Sequence, residues 1–399
     1  MKISMRAIGI CLSTAVLVGC LGHVALIPTQ PQADNQLQVR SSLNAGFDNS
    51  APTFLTLPSR NVDFSSLDAQ RDASLTIQFY SGTIKSPLDN VVYSYRIVGS
   101  DPVKSNATTN VLYKPIALRV HFADGTVLDP SKPACGDTVS VKNRALMGPN
   151  FAPVPLTSNG VNVGKVQITD GFQRAEFWKV LKGPRYHTVL KTVGAIIVDV
   201  NAPAGSSTHD GVCSGRGHRI GAIDVDAMNR IIVNLAQKRV KPNQIALFLT
   251  YNTFETYNGR CCIGGFHSAF GADGTRVYTI ATYNDSGIFK QPTSADIDTL
   301  THELGDLLDN PFPLSDTKAN SVPPWGGVGQ VPKGSCQGNL ETGDPLTGTQ
   351  FEVRYNGFTY HPQQLAFFSW FYRTKSIGTG GKFSFKGKFT RTQGLCIGE

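Results

Sequence analysis

From Thr299 to Leu308 the order Thr-Leu-Thr-His-Glu-Leu-Gly-Asp-Leu-Leu demands a helix with two opposed faces. An α-helix turns about 100° per residue, so His302, Asp306 and Asp309 share one polar side. Ile297, Leu300, Leu304, Leu307 and Leu308 recur at helical spacing and form an apolar side. Such a helix anchors in a core and presents its acidic, imidazole-bearing face to a cleft. Thr293 or Ser294 is the expected N-cap, Asp296 and Asp298 suit the positive end of the helix dipole, and Asn310-Pro311 ends the segment.

The spacing carries a definite chemistry. His302 and Asp306, one turn apart, can grip the same ion. Glu303 follows the first ligand but points about 100° away from it, so it can act as general base on an attacking water. A third ligand must come from elsewhere. Asn339-Leu340-Glu341-Thr342-Gly343-Asp344-Pro345 offers two carboxylates around a glycine. Glu341 is the expected third ligand of a Zn2+ site, with Asp344 supporting it or taking its place.

The helix resembles the His-Glu-x-x-His helix of zincin metallopeptidases, with Asp306 standing where that family has its second histidine. Combined with Pro324-Trp325-Gly326 and Glu341-x-Gly343-Asp344, the pattern is similar to that of a group of uncharacterised secreted bacterial proteins with zincin-like helices. In that group the helix usually ends in Glu, where this chain has Asp306. The likeness extends over about residues 245–372 and takes in Cys261-Cys262, Ala281-Thr282-Tyr283 and Tyr360-His361-Pro362-Gln363. It implies a zincin-like fold and a metal site; it does not imply a substrate. In zincins a strand beside the active helix holds an extended peptide along its edge, and Val277-Tyr278-Thr279-Ile280 is the candidate for that edge.

Together these features favour a zinc-dependent hydrolase, most simply a peptidase acting on a peptide or protein substrate. The competing reading is a non-catalytic binding or structural lipoprotein with a degenerate site. Tyr360 is a candidate donor to a developing oxyanion or else a strand aromatic, and His361, before Pro362, is an N-cap or an alternative metal ligand. His209, His218 and His267 read as surface histidines near cysteines, and Asp273 and Asp285 as turn residues.

The N-terminus sets the compartment. Lys2 and Arg6 precede an apolar run from Ala7 to Val18, too short to span a bilayer and suited to an export signal. Leu17-Val18-Gly19-Cys20 resembles a bacterial lipobox, which implies lipidation of Cys20 and anchoring at the cell envelope; the alternative is a soluble secreted protein. Cys135, Cys213, Cys261, Cys262, Cys336 and Cys396 remain, an even set that allows up to three disulfides in an unspecified pairing. The net charge of +8 is scattered, and the one basic cluster, Lys382, Lys386, Lys388 and Arg391, alternates with Phe383, Phe385 and Phe389 as a half-buried strand would. Nucleic acid is therefore not an expected partner, and the membrane is expected to be met through the lipid alone.

The chain divides on this reading into a signal peptide (1–19), a Gln-, Asn-, Ser- and Pro-rich tether (20–58), a β-sandwich-like domain (59–165) and a zincin-like mixed α/β domain (166–399), an α+β protein in all. Strands are expected near residues 75–80, 91–98, 116–122, 192–200, 245–251 and 276–283, helices at 172–181 and 225–239, and hairpins at Asp124-Gly125 and Asn356-Gly357.

Overall fold

The computed structural model describes residues 46–47, 51–62, 74–271, 274–313 and 319–398. The signal peptide, Cys20, most of the tether and Asp273 lie outside the described residues.

The centre of the molecule is built by strands whose apolar residues run without interruption. Gln244–Tyr251 is buried along its whole length, as a strand covered on both faces requires. Its side chains alternate between two cores. Ala246 and Phe248 meet Ile116, Phe266 and Ile280 under Met228 and Ile232 of the Val225–Arg239 helix. Ile245, Leu247 and Leu249 meet Val277 and Ala281 under Leu300, Leu304 and Leu307 of the Asp298–Asp309 helix.

Thr108–His121, Gln244–Tyr251 and Thr275–Tyr283 lie parallel in that order, and Arg260–Gly271 then joins antiparallel. The sheet continues from there through Thr253–Tyr257 and Ile220–Asp224 to Ser207–His209. On the edge of Arg260–Gly271 opposite Thr275–Tyr283, the short strand Thr53–Thr56 also pairs, in parallel. The fold is a mixed α/β assembly dominated by a curled sheet.

Most expected elements appear within a few residues of their anticipated bounds. The Val225–Arg239 helix, the Gln244–Tyr251 and Thr275–Tyr283 strands and the Val353–Tyr355/Phe358–Tyr360 hairpin all form. The expected division at residue 165 does not separate two sheets, because Thr108–His121 hydrogen-bonds to Gln244–Tyr251 and Ile196–Asn201 in one sheet. Within 59–165, Thr108–His121 and Val127–Leu128 belong to the common sheet, while Phe79–Lys85 with Val92–Val98 and Val154–Ser158 with Val161–Val166 form separate two-stranded sheets. Val277–Ile280 is no edge either: Thr275–Tyr283 is paired on both sides. The basic stretch around Lys386 is not a strand, and Lys386 donates to Thr157 O across the ring of Phe385.

Candidate metal centre

The Asp298–Asp309 helix has no exposed side: each of its residues is buried. Its apolar face packs on the sheet as expected. The polar face is covered by the loop through Glu341 and Asp344 and by Thr53–Thr56, so the cleft expected in front of it is filled by protein. The helix starts without a side-chain cap at Ile297. Asp296, expected to serve the helix dipole, instead pairs with His361 at 2.7 Å.

His302 Nε2 lies 3.0 Å from Asp306 Oδ2 and 3.4 Å from Asp344 Oδ1. It forms a properly angled hydrogen bond to neither. Ligand atoms of these three residues all lie within 4.8 Å of one another, a group that could hold a metal ion. Each partner is fixed from behind. Asp306 Oδ1 accepts from Thr342 Oγ1 at 3.0 Å and from the Gly343 backbone N–H, which leaves Oδ2 turned to the histidine. Asp344 accepts from Gln330 Nε2 at 2.6 Å and Gln337 Nε2 at 2.8 Å. Gln363 Nε2 lies 2.9 Å from His302 Nδ1 and donates to Gly343 O. Gly343 is required here, because a Cβ on it would come within 2.5 Å of His302 Nδ1.

The carboxylate grouped with His302 and Asp306 is that of Asp344, which the sequence offered as the alternative, and not that of Glu341. The Glu341 carboxylate accepts from Asn310 Nδ2 at 3.0 Å and Asn339 Nδ2 at 3.1 Å and lies 3.8 Å from His267 Nε2. Glu303 sits beside the centre, about 100° around the helix from His302. Neither of its oxygens has a hydrogen-bond partner, and Oε2 is 3.5 Å from His267 Nδ1. Tyr360 is not brought to the centre; it packs under the Arg144 guanidinium, 4.7 Å from its ring. His361 is likewise committed to Asp296 and is not one of the three grouped donors.

Burial sets the protonation of the group, and charge pairing then divides it. Desolvation opposes a charged His302, but Asp306 and Asp344 outweigh it and hold its pKa well above the usual imidazole value. Desolvation also opposes the Asp306 carboxylate, yet the adjacent His302 and the Gly343 N–H hold its pKa below normal. Glu303, without a donor, and Glu341, despite two asparagine amides, are pushed well upward by burial and by the neighbouring acids, and burial raises Asp344 as well. His267 is pushed down to about 4 by burial, against the opposing pull of Asp306 and Asn310 O.

Two members were not legible as site residues. His267, read as a surface histidine, is buried and donates from Nε2 to Asn310 O at 3.0 Å. Glu255, fully buried on Thr253–Tyr257 with both oxygens unpartnered, has its pKa raised to about 8 by desolvation and itself raises that of Glu303. Gly264-Gly265 was the available signal: a Cβ on Gly265 would lie 2.8 Å from Glu303 Cγ, so the strand is thinned there to admit the helix.

His218 lies outside this centre, hydrogen-bonded to Tyr251 OH at 2.8 Å; that hydroxyl donates to Asp285 at 2.8 Å. Asp285 is thus a buried hub as well as the first residue of a turn, its carbonyl accepting from the Ile288 N–H. The cysteines pair as Cys135–Cys213, Cys261–Cys262 and Cys336–Cys396. Such a set suits an oxidising, extracytoplasmic compartment. Among the described residues no helix is long and apolar enough to cross a membrane. Comparison with protein-family models, curated proteins and solved structures gives no match.

Proposed function

We propose that the protein is an exported metal-dependent hydrolase, a peptidase in its simplest form, with His302, Asp306 and Asp344 as ligands and Glu303 as base. The observation that carries this reading is the convergence of His302 Nε2, Asp306 and Asp344 at one buried point, where the imidazole nitrogen lacks a well-angled hydrogen bond. One imidazole and two carboxylates suit zinc and other divalent first-row ions. A bound ion of this kind supplies Lewis acidity and favours ionisation of the acids around it.

The chain's own residues supply the rest. Glu303, free of other hydrogen bonds, is placed to take a proton from water and return it to a leaving amine. His267 Nδ1 lies beside Glu303 Oε2, where it can accept a hydrogen bond from the protonated acid. Thr342, Gln330 and Gln337 orient the ligand carboxylates. Glu303→Gln is expected to keep the metal and to lower cleavage of unfolded protein by roughly 10²- to 10⁴-fold. Equal cleavage by both forms would remove Glu303 from the chemistry.

A second reading is favoured by the burial of the whole cluster beneath Phe54: the ion is structural and the protein is a binding or structural lipoprotein. Metal retention with no cleavage of a broad peptide library would select it. In either reading Cys20 carries the lipid that holds the protein at the bacterial envelope. Cys20→Ser should move it from the detergent phase to the aqueous phase on phase partitioning; unchanged partitioning would leave a soluble secreted protein.

A further inference from the structure

The N-terminal segment lies across the centre as a bound peptide would. Thr53–Thr56 pairs in parallel with Arg260–Gly271, setting Phe54 opposite Gly265 and Thr56 opposite His267. The Phe54 ring stacks on His302 with 3.4 Å between ring centroids and 16° between planes. On the side away from the sheet, Gln330 reads the backbone of the same residue twice. Its Oε1 accepts from Phe54 N at 2.9 Å, and its Nε2 donates to Phe54 O at 3.2 Å. That Nε2 also donates to Asp344 Oδ1 at 2.6 Å. One side chain therefore joins main-chain recognition of an extended residue to a carboxylate of the centre. Asn339 Nδ2 donates both to Thr56 Oγ1 and to Glu341 Oε1, each at 3.1 Å.

Main-chain bonds hold an extended strand whatever its sequence, and pockets for alternate side chains supply selectivity. Both features are present: Gln330 and the sheet bracket the backbone, and the face of His302 receives one aromatic ring. We infer that the groove between Arg260–Gly271 and Gln330 is a binding site for an extended peptide with an aromatic side chain over His302. The segment around Phe54 fills it from within the chain and keeps the centre closed. This rests on the hydrolase reading for the groove's role as a substrate cleft; peptide binding in the groove is independent of it.

The test is capture of a labelled peptide, Ala-Pro-Thr-Phe-Leu-Thr-Leu-Pro, which copies residues 51–58. Binding is measured with chelator present, so neither metal nor turnover enters the result. Full-length Phe54→Ala should bind it at least about tenfold more tightly than the wild type, and a peptide with alanine for phenylalanine should lose about tenfold. The second form is the full chain carrying a protease site between residues 63 and 73, cut after folding, which should exchange its N-terminal piece for the labelled peptide. This form decides the matter if Phe54→Ala does not fold. Retention of the N-terminal piece with no uptake of peptide, or equal uptake of the alanine peptide, would make Thr53–Thr56 a permanent strand and overturn the proposal. Failure to bind zinc would remove the hydrolase reading and leave this outcome readable.

Discussion

The Asp298–Asp309 helix carries two buried acidic groups that have been treated in opposite ways. Beside His302 the two grouped acids are served: Asp306 has Thr342, the Gly343 N–H and the imidazole, and Asp344 has two glutamine amides. Around Asp309 donors are scarce. Neither Asp309 oxygen meets a donor, and Glu176, whose Oε1 is also unpartnered while its Oε2 accepts from the Phe368 N–H at 3.0 Å, faces it from the Ile168–Glu176 helix. Burial, followed by the neighbouring acid, pushes the pKa of Glu176 well above the carboxylate range; Asp309 is raised chiefly by burial. Two acids short of donors are best accommodated by sharing a proton. Asp306, given donors and a cation, has its pKa held below normal, while burial still raises that of Asp344 against the pull of His302 and Gln337. The difference separates a candidate metal centre from a neutralised structural pair, although both draw on one helix.

The largest effect that can break this comparison is at the carboxylates themselves. Asp344→Ala should weaken zinc binding by on the order of 100-fold or more, because a three-ligand site loses a member. Glu341→Ala should change it less, since that side chain turns toward His267. The reverse order in a metal-competition assay would make Glu341 the ligand and Asp344 its support. A smaller effect is expected at the proton-sharing pair, and it is one of pH. A folded-state pKa raised above the unfolded value stabilises fully below the unfolded carboxylate range, and that stability is lost as pH rises through the folded value, about 8 for Asp309. Denaturant titrations from pH 5 to 9 should therefore show a decline that Asp309→Asn makes shallower, by on the order of 1.4 kcal/mol for each pKa unit removed. Parallel pH profiles would show that the pair does not couple to folding, and zinc binding should be unchanged in this variant.

The helix that carries both groups was legible because its periods of His, Asp and Leu leave no alternative structure. The same holds for the all-apolar Gln244–Tyr251 strand and for Asn356-Gly357, whose turn chemistry is local. What sequence could not supply was the partner of each polar group. Glu341 and Asp344 stand three residues apart around a glycine, and only the fold decides which reaches His302. His267 looked like a surface residue because no strand pattern marks a site covered on both faces. The filled cleft escaped notice for a similar reason. Thr53-Phe54-Leu55-Thr56 is short and sits in what reads as a flexible tether; its order comes from Gly265, Gln330 and His302, each more than 200 residues away.

Titration of zinc into chelator-treated wild-type protein, beside His302→Ala, tests the central claim most directly. The account predicts one tightly bound ion per wild-type chain and loss of that binding in the variant, with both proteins folded. Equal binding by the two, or no binding by the wild type, would contradict a metal centre at His302, Asp306 and Asp344.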